Sequence, residues 1–359
     1  MGSSRGIGAA DWLLTLNAGS SSLKFGLFGM DGARLGAGTV ADVDVAAADA
    51  ETLVGPVTAA RDRLGLSPAP VAVGHRVVHG LDLRAPAEID GAVRATIERA
   101  AGFAPLHNPP ALRMIDAAAA LWPGARQVAC FDTAFHADNS PEAATLPIPA
   151  ALREKRLRRY GFHGLSYASV MRRFAVETGK QPPRRLLIAH LGSGASMAAV
   201  RDGTGVATTM GFSPMDGLVM ATRAGAMDPG VIFHLIREGM APAEVERMLN
   251  RESGLKALGG AAEMKVLLAR DDDDAAFAVS HYVHWARRHA GAMIAAMEGV
   301  DGMVFTGGIG ENAAPVRDRI VAGLGWAGIG AENTWVVPAD EEGEIVHAVR
   351  SLLGAGPRV

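Results

Sequence analysis

Two segments built to one plan, set half a chain apart, restrict the fold of this sequence more than anything else in it. Leu13-Leu14-Thr15-Leu16-Asn17 reads as a short buried strand, Ala18-Gly19-Ser20-Ser21-Ser22 as a tight turn, and Lys24-Phe25-Gly26-Leu27-Phe28 as a returning strand. The plan recurs at Leu186–His190, Leu191–Ser196 and Met197–Val200. Two strand–Gly/Ser turn–strand units point to a duplicated domain. A third apolar segment, Met303–Thr306, runs into Gly307-Gly308-Ile309-Gly310-Glu311-Asn312. Helical periodicity covers 92–103, 110–121, 165–178, 230–238, 242–251 and 275–298. Strands alternating with helices predict an α/β chain, and 359 residues are enough for two domains. Pro141, Pro147, Pro149 and the basic run that follows predict a junction within 139–158.

Composition excludes several classes of function. Hydrophobic residues at 49% against 20% charged describe a globular chain rather than a disordered one. A net charge of −3 gives no general attraction for nucleic acid or an anionic membrane. Cys130 is the only cysteine, so no intrachain disulfide exists and a reducing compartment is expected. No apolar run approaches the roughly 18–20 residues of a membrane span, and Met1–Ala10 lack the apolar stretch of a signal peptide. A cytoplasmic location is expected, with no nucleic-acid or membrane partner.

Several residues could carry chemistry. The turn from Asn17 to Lys24 concentrates hydroxyls, an amide, backbone N–H groups and one ammonium, a set able to surround phosphate oxygens. It is not a Walker A loop, because strand rather than helix follows it. Gly307-Gly308-Ile309-Gly310 allows a ligand close to the backbone but fails the dinucleotide spacing, since Ala313 stands where the last Gly belongs. Arg76, Asp132, His163 and Arg223 each sit among apolar or glycine neighbours. Singly, each reads as a satisfied core or hinge residue. Together, two guanidiniums, an imidazole and a carboxylate would suit a phosphoryl group in transfer. The 11 histidines show no metal-ligand spacing. Cys130 reads as core, and Asp271–Asp274 as a loop and helix N-terminus.

The blocks LNAGSSSLKF, GHRVVHG, APLHNPP, FDTAFH, YGFHGLSY, HLGSGAS, TTMGFSPMDGLVMATR, DPG and FTGGIGENA run in order from residue 13 to about 330. In these the chain resembles the acetate kinase family of the acetate and sugar kinase/actin superfamily. The resemblance implies an actin-like (ribonuclease H-like) duplicated α/β fold of two lobes with an active-site cleft between them. It implies one lobe from 12–148 with 338–359, and a nucleotide-binding lobe from 149–337. The implied reaction is reversible, direct in-line phosphoryl transfer from ATP to acetate with Mg²⁺ or Mn²⁺, in a homodimer.

By the same resemblance Asp132, His163 and Arg223 are catalytic, and Arg76 binds the carboxylate. Val78, Leu106, Phe162 and Pro214 form the methyl pocket. Lys24, His190, Leu191, Gly192, Ser193, Gly194, Glu263, Met264, Lys265, Gly308, Ile309, Gly310, Glu311 and Asn312 contact nucleotide, while Asn17 and Glu341 hold the metal. Departures are Ser193 in place of the family's usual Asn, and Ala262-Glu263-Met264-Lys265 in place of its Ser-Asp-aromatic/Met-Arg block. The Lys loses the planar stacking an Arg would give. The alternatives are a propionate or butyrate kinase, or a catalytically weak paralogue binding acyl phosphate or nucleotide.

Overall fold

The computed structural model describes residues 11–19, 22–41, 45 and 48–354. Ser20 and Ser21, at the tip of the first Gly/Ser turn, lie outside the described residues. The chain divides into two compact units, Met1–Ala134 with Asp340–Val359, and Phe135–Ala339. The first division thus falls at 134/135, ahead of the expected 139–158 junction.

The first unit carries a six-stranded sheet of β1 (Trp12–Ala18), β2 (Ser22–Gly29), β3 (Arg34–Ala41), β4 (Ala72–Val77), β5 (Ala87–Glu88) and β6 (Arg126–Phe131). Their order is β3-β2-β1-β4-β6-β5. The β1–β2 and β2–β3 pairs are antiparallel, whereas β4 lies parallel to both β1 and β6. Every β1 residue except Asn17 is buried, as expected of a central strand covered on both faces.

One face packs against the helices Ala50–Arg63 and Asn108–Leu121, in a core that includes Trp12, Leu16, Phe25, Val57 and Met114. Pro109 and Pro110 start the second helix where missing N–H groups cost nothing, and Ala111, Met114, Ile115 and Ala118 supply its buried stripe. The helix Glu341–Leu352 contacts β1, β4 and β6. It comes so close that a Cβ on Gly74 would lie 2.3 Å from Ile345 Cγ2, so only glycine fits in β4 there.

The second unit repeats the pattern with β7 (Arg185–Leu191), β8 (Ala195–Arg201), β9 (Thr204–Thr208), β10 (Gly302–Thr306) and β11 (Thr334–Val336). Their order is β11-β10-β7-β8-β9, again three antiparallel strands extended by two parallel ones. This shared strand order is the duplicated actin-like architecture. Leu186, Ile188, Ala198 and Val200 pack against Tyr167, Val170 and Phe174 of the helix Gly164–Thr178. The helix Asp273–Ala296 also packs on β7, β8 and β9.

Five of the six helices expected from periodicity match within two residues. The one expected over 92–103 ends at Ala100, two residues ahead of Gly102. Asp272 caps the long helix through the Ala275 N–H, so the Asp271–Asp274 run forms a loop and helix start. Among the described residues no helix is long and apolar enough to cross a membrane.

Each unit buries a neutral histidine. His75 Nε2 meets Gln127 Oε1 at 2.7 Å and His136 Nε2 donates to the Phe162 carbonyl at 3.0 Å, while both Nδ1 atoms lack a partner. Burial, only partly opposed by these bonds, lowers each pKa to about 4 from 6.5. Between those values the unfolded chain binds the proton and the folded chain does not, so stability falls as pH drops from about 6.5 to 4. The expected loss by pH 5 is about 2 kcal/mol per histidine. Urea midpoints at pH 7.5 and pH 5 measure it, and equal midpoints would contradict the buried neutral state.

Candidate active site

In the first unit, strand ends bring four predicted residues together. Arg76, near the end of β4, reaches Asp132, just beyond β6, through Nε at 3.1 Å and Nη2 at 2.6 Å. Its Nη1 donates to Asn17 Oδ1 at 3.3 Å and stands 3.2 Å from Glu341 Oε2. Asp132 is only 1% exposed, so this bidentate pair is the chief compensation for a buried carboxylate. Burial opposes the guanidinium charge, but Asp132 and then Glu341 outweigh it and hold Arg76 above its ordinary pKa.

Asn17 Nδ2 donates to Glu341 Oε2 at 3.5 Å, which sets an amide and a carboxylate side by side. Both are hard oxygen donors, the chemistry suited to Mg²⁺ when water and phosphate fill its other positions. The pair therefore fits a metal shared with a nucleotide. Among the described residues no three His, Cys, Asp or Glu could hold one by themselves. Lys24 is exposed on β2 and is the register partner of Asn17. Val78 is buried just after β4, and Leu106 is half-buried before the helix Asn108–Leu121.

In the second unit, three predicted residues meet at one point. A methyl placed on Gly194 would lie 3.1 Å from His163 Nε2 and 3.7 Å from Arg223 Nη1. His163 occupies the left-handed region, φ 59°, at the start of the helix Gly164–Thr178, uncommon for a residue with a side chain. Its ring stacks on His190, centroids 4.2 Å apart. Arg223 donates to the Pro214 carbonyl at 2.9 Å and has no carboxylate partner among the described residues; burial lowers its pKa. A desolvated guanidinium without a counter-charge is a ready anion site. Phe162 is fully buried and Pro214 half-buried.

Beside that point lies a cavity of about 680 Å³. Gly192, Ser193, Glu263, Met264, Lys265, Gly308, Ile309 and Asn312 line it, together with Ala221, Ala262, Leu268, Ala313 and Pro315. The walls are largely apolar, and Lys265 pairs with Glu263 at 3.1 Å at the exposed rim. His190, Leu191, Gly194, Gly310 and Glu311 do not line the cavity. Glu311 instead accepts from the Gly307 and Ala339 N–H groups, each at 2.9 Å, holding its own backbone.

Sequence reading passed over four polar residues around the imidazoles. Ser196 Oγ lies 2.8 Å from His163 Nδ1, Tyr167 bonds Ser196, and Ser166 Oγ lies 2.8 Å from His190 Nδ1. His136 holds the carbonyl preceding His163. Each stands inside a quoted motif block, yet only the fold shows which imidazole it meets.

A sequence model described as the acetokinase family matches residues 68–351. An acetate kinase of Streptomyces coelicolor is 41% identical over 393 aligned residues, covering 95% of this chain and 97% of that protein. Among solved structures, the Porphyromonas gingivalis acetate kinase superposes with a TM-score of 0.87 at 30% identity, covering 96% of this chain and 100% of that one. A propionate kinase from Francisella tularensis superposes with a TM-score of 0.84 at 30% identity, over 94% and 98%.

Proposed function

Because this chain belongs to the acetokinase family, we propose a division of labour between its units for the phosphorylation of acetate by ATP. The reaction forms acetyl phosphate and ADP reversibly: a carboxylate oxygen bonds to the γ-phosphorus as the bond to the β-phosphate oxygen breaks. The observation that carries the assignment is the meeting of Arg223 and His163 at Gly194, next to a cavity of nucleotide size.

The first unit takes the acid. Arg76 binds its carboxylate and Asp132 aims Arg76. No strong base is required, since a carboxylic acid with a pKa of about 4 is already ionised at neutral pH. Asp132 therefore orients rather than abstracts a proton. Asn17 and Glu341 hold Mg²⁺, which neutralises phosphate charge when bound, and Lys24 adds a point charge. The second unit takes the nucleotide in its apolar cavity, while Arg223 and the His163 ring stabilise the charge on the transferring group. Val78 and Leu106, and likewise Phe162 and Pro214, offer apolar surface suited to the substrate's methyl group.

Similarity to a propionate kinase keeps a longer acid as the second reading. One methylene is worth only about 1–3 kcal/mol, so pocket shape grades rather than excludes such acids. ADP release measured with acetate, propionate and butyrate is expected to give the highest kcat/KM with acetate. A higher value with propionate would reassign the substrate, and no turnover with any acid would leave only a binding protein.

The helix Pro229–Arg237 buries none of its residues, and Met227, Val231, Phe233 and Ile236 are exposed in and beside it. An apolar face of this kind fits a homodimer interface. Light scattering is expected to give twice the chain mass for the wild type and one chain for Phe233→Asp; a monomeric wild type would refute the dimer. Its lone, buried Cys130 suits work in a reducing cytoplasm.

A further inference from the structure

The two stacked imidazoles of the second unit are each held by a hydroxyl, and one helical turn sets both. Ser166 and Tyr167 are neighbours in the first turn of the helix Gly164–Thr178. Ser166 meets His190 Nδ1 directly, and its own position is tied down by Ser169, whose hydroxyl donates to the Ser166 carbonyl at 2.8 Å. Tyr167 reaches His163 indirectly, through Ser196 on β8. Tyr167 and Ser196 are both 0% exposed, so their hydroxyls are shielded from solvent.

The proton order along this chain follows from satisfying every donor. The Tyr167 hydroxyl has Ser196 Oγ as its hydrogen-bond partner. If Ser196 donated to Tyr167, the buried phenol proton would be left without an acceptor, an unsatisfied donor that burial makes costly. If Tyr167 donates to Ser196, the serine proton goes to His163 Nδ1, and each proton has an acceptor. Burial also raises the Tyr167 pKa, keeping the phenol a donor. An imidazole accepting at Nδ1 carries its proton on Nε2. That is the nitrogen facing the point shared by Gly194 and Arg223.

We propose that Tyr167 and Ser196 are positioning residues which hold His163 as the Nε2–H tautomer, so that it donates to the transferring phosphoryl group. This rests on the phosphoryl-transfer reading of the site for its consequence, though the tautomer itself does not. The αL conformation of His163 and the grip of His136 on the Phe162 carbonyl fix the backbone, and the hydroxyl chain fixes the ring. Without the Ser196 proton, Nδ1 and Nε2 compete for the ring proton and the donor is present only part of the time.

The test is a double-mutant cycle with a spectroscopic arm. Ser196→Ala is expected to lower kcat by about 10–100-fold, with the KM for ATP within about twofold of wild type. Tyr167→Phe, which keeps the ring in the core, is expected to show the same direction with a smaller loss. In a His163→Ala background, adding Ser196→Ala should change kcat less than about twofold, since the partner it acts through is gone. Equal fractional losses in both backgrounds would reveal a merely structural serine and overturn the proposal, as would an unchanged kcat for Ser196→Ala.

Nitrogen-15 shifts of labelled histidine, assigned by the signal that His163→Ala removes, should show a protonated Nε2 in the wild type and a tautomer mixture in Ser196→Ala. A wild-type ring protonated on Nδ1 overturns the relay whatever the kinetics. Absence of turnover by the wild-type chain would instead refute the kinase reading, and the shifts would still decide the tautomer.

Discussion

Arg223→Ala is expected to lower kcat for acetyl phosphate formation by about 10²–10³-fold while leaving the thermal midpoint unchanged or slightly raised. The two halves of that expectation have one cause. Arg223 is desolvated, its pKa is lowered by burial, and its bonds go to the Pro214 carbonyl and the Met220 sulfur rather than to an anion. A cation kept in that state costs folding free energy and becomes favourable only when negative charge arrives. Removing it relieves the resting protein and disables the loaded one, the trade expected where a group serves chemistry rather than stability. Arg223→Lys should restore charge without the planar fork and recover only part of the rate. Steady-state kinetics beside differential scanning calorimetry decide the matter: a large drop in midpoint with kcat preserved would make Arg223 a structural residue.

Asp132→Ala is expected to do the opposite to stability while also abolishing activity. Here the carboxylate is buried and bidentate to Arg76, and its loss strands a guanidinium whose remaining partners are Asn17 and Glu341. Breaking such a pair costs about 3–5 kcal/mol, much of it the penalty of a cation left uncompensated. Arg76, already 3.2 Å from Glu341 Oε2, then has that carboxylate as its remaining ion-pair partner, which disturbs both the substrate clamp and a proposed metal ligand. The rate should fall by at least about 10³-fold, with a raised KM for acetate as well as a lowered kcat. Urea unfolding and acetate saturation curves report the two effects separately. If KM for acetate were untouched while kcat collapsed, Asp132 would act on the reacting atoms and not through Arg76.

The opposite stability signs were not legible in the sequence, although the residues were. Arg76, Asp132, His163 and Arg223 stood out because a polar side chain among apolar or glycine neighbours must have a reason. What a linear string could not supply was who compensates whom. Arg76 and Asp132 are 56 positions apart and meet because β4 and β6 pair in parallel and end together. Strand and helix positions were readable because a short continuous apolar run, as in β7, and period-3.6 burial, as in the helix Gly164–Thr178, leave local signatures. The helix Glu341–Leu352 escaped detection, since its first turn holds three glutamates and a glycine before any apolar residue. Ser196 and Tyr167 escaped for another reason: a serine and a tyrosine inside buried elements look like ordinary core until the third dimension places an imidazole beside them.

The closeness of Gly74 to Ile345 and Val349 has a consequence for how the molecule is made. The first sheet's strands are synthesised before the whole second unit, whereas the helix that covers β4 follows that unit. Until it arrives, a glycine-floored furrow over β1 and β4 stays wet, and Asn17 waits without the carboxylate of Glu341. The second unit, continuous from Phe135 to Ala339, meets no such delay and is free to fold while the first is still open. Completion of the first unit thus depends on a segment made after the second, so the order of folding need not follow the order of synthesis.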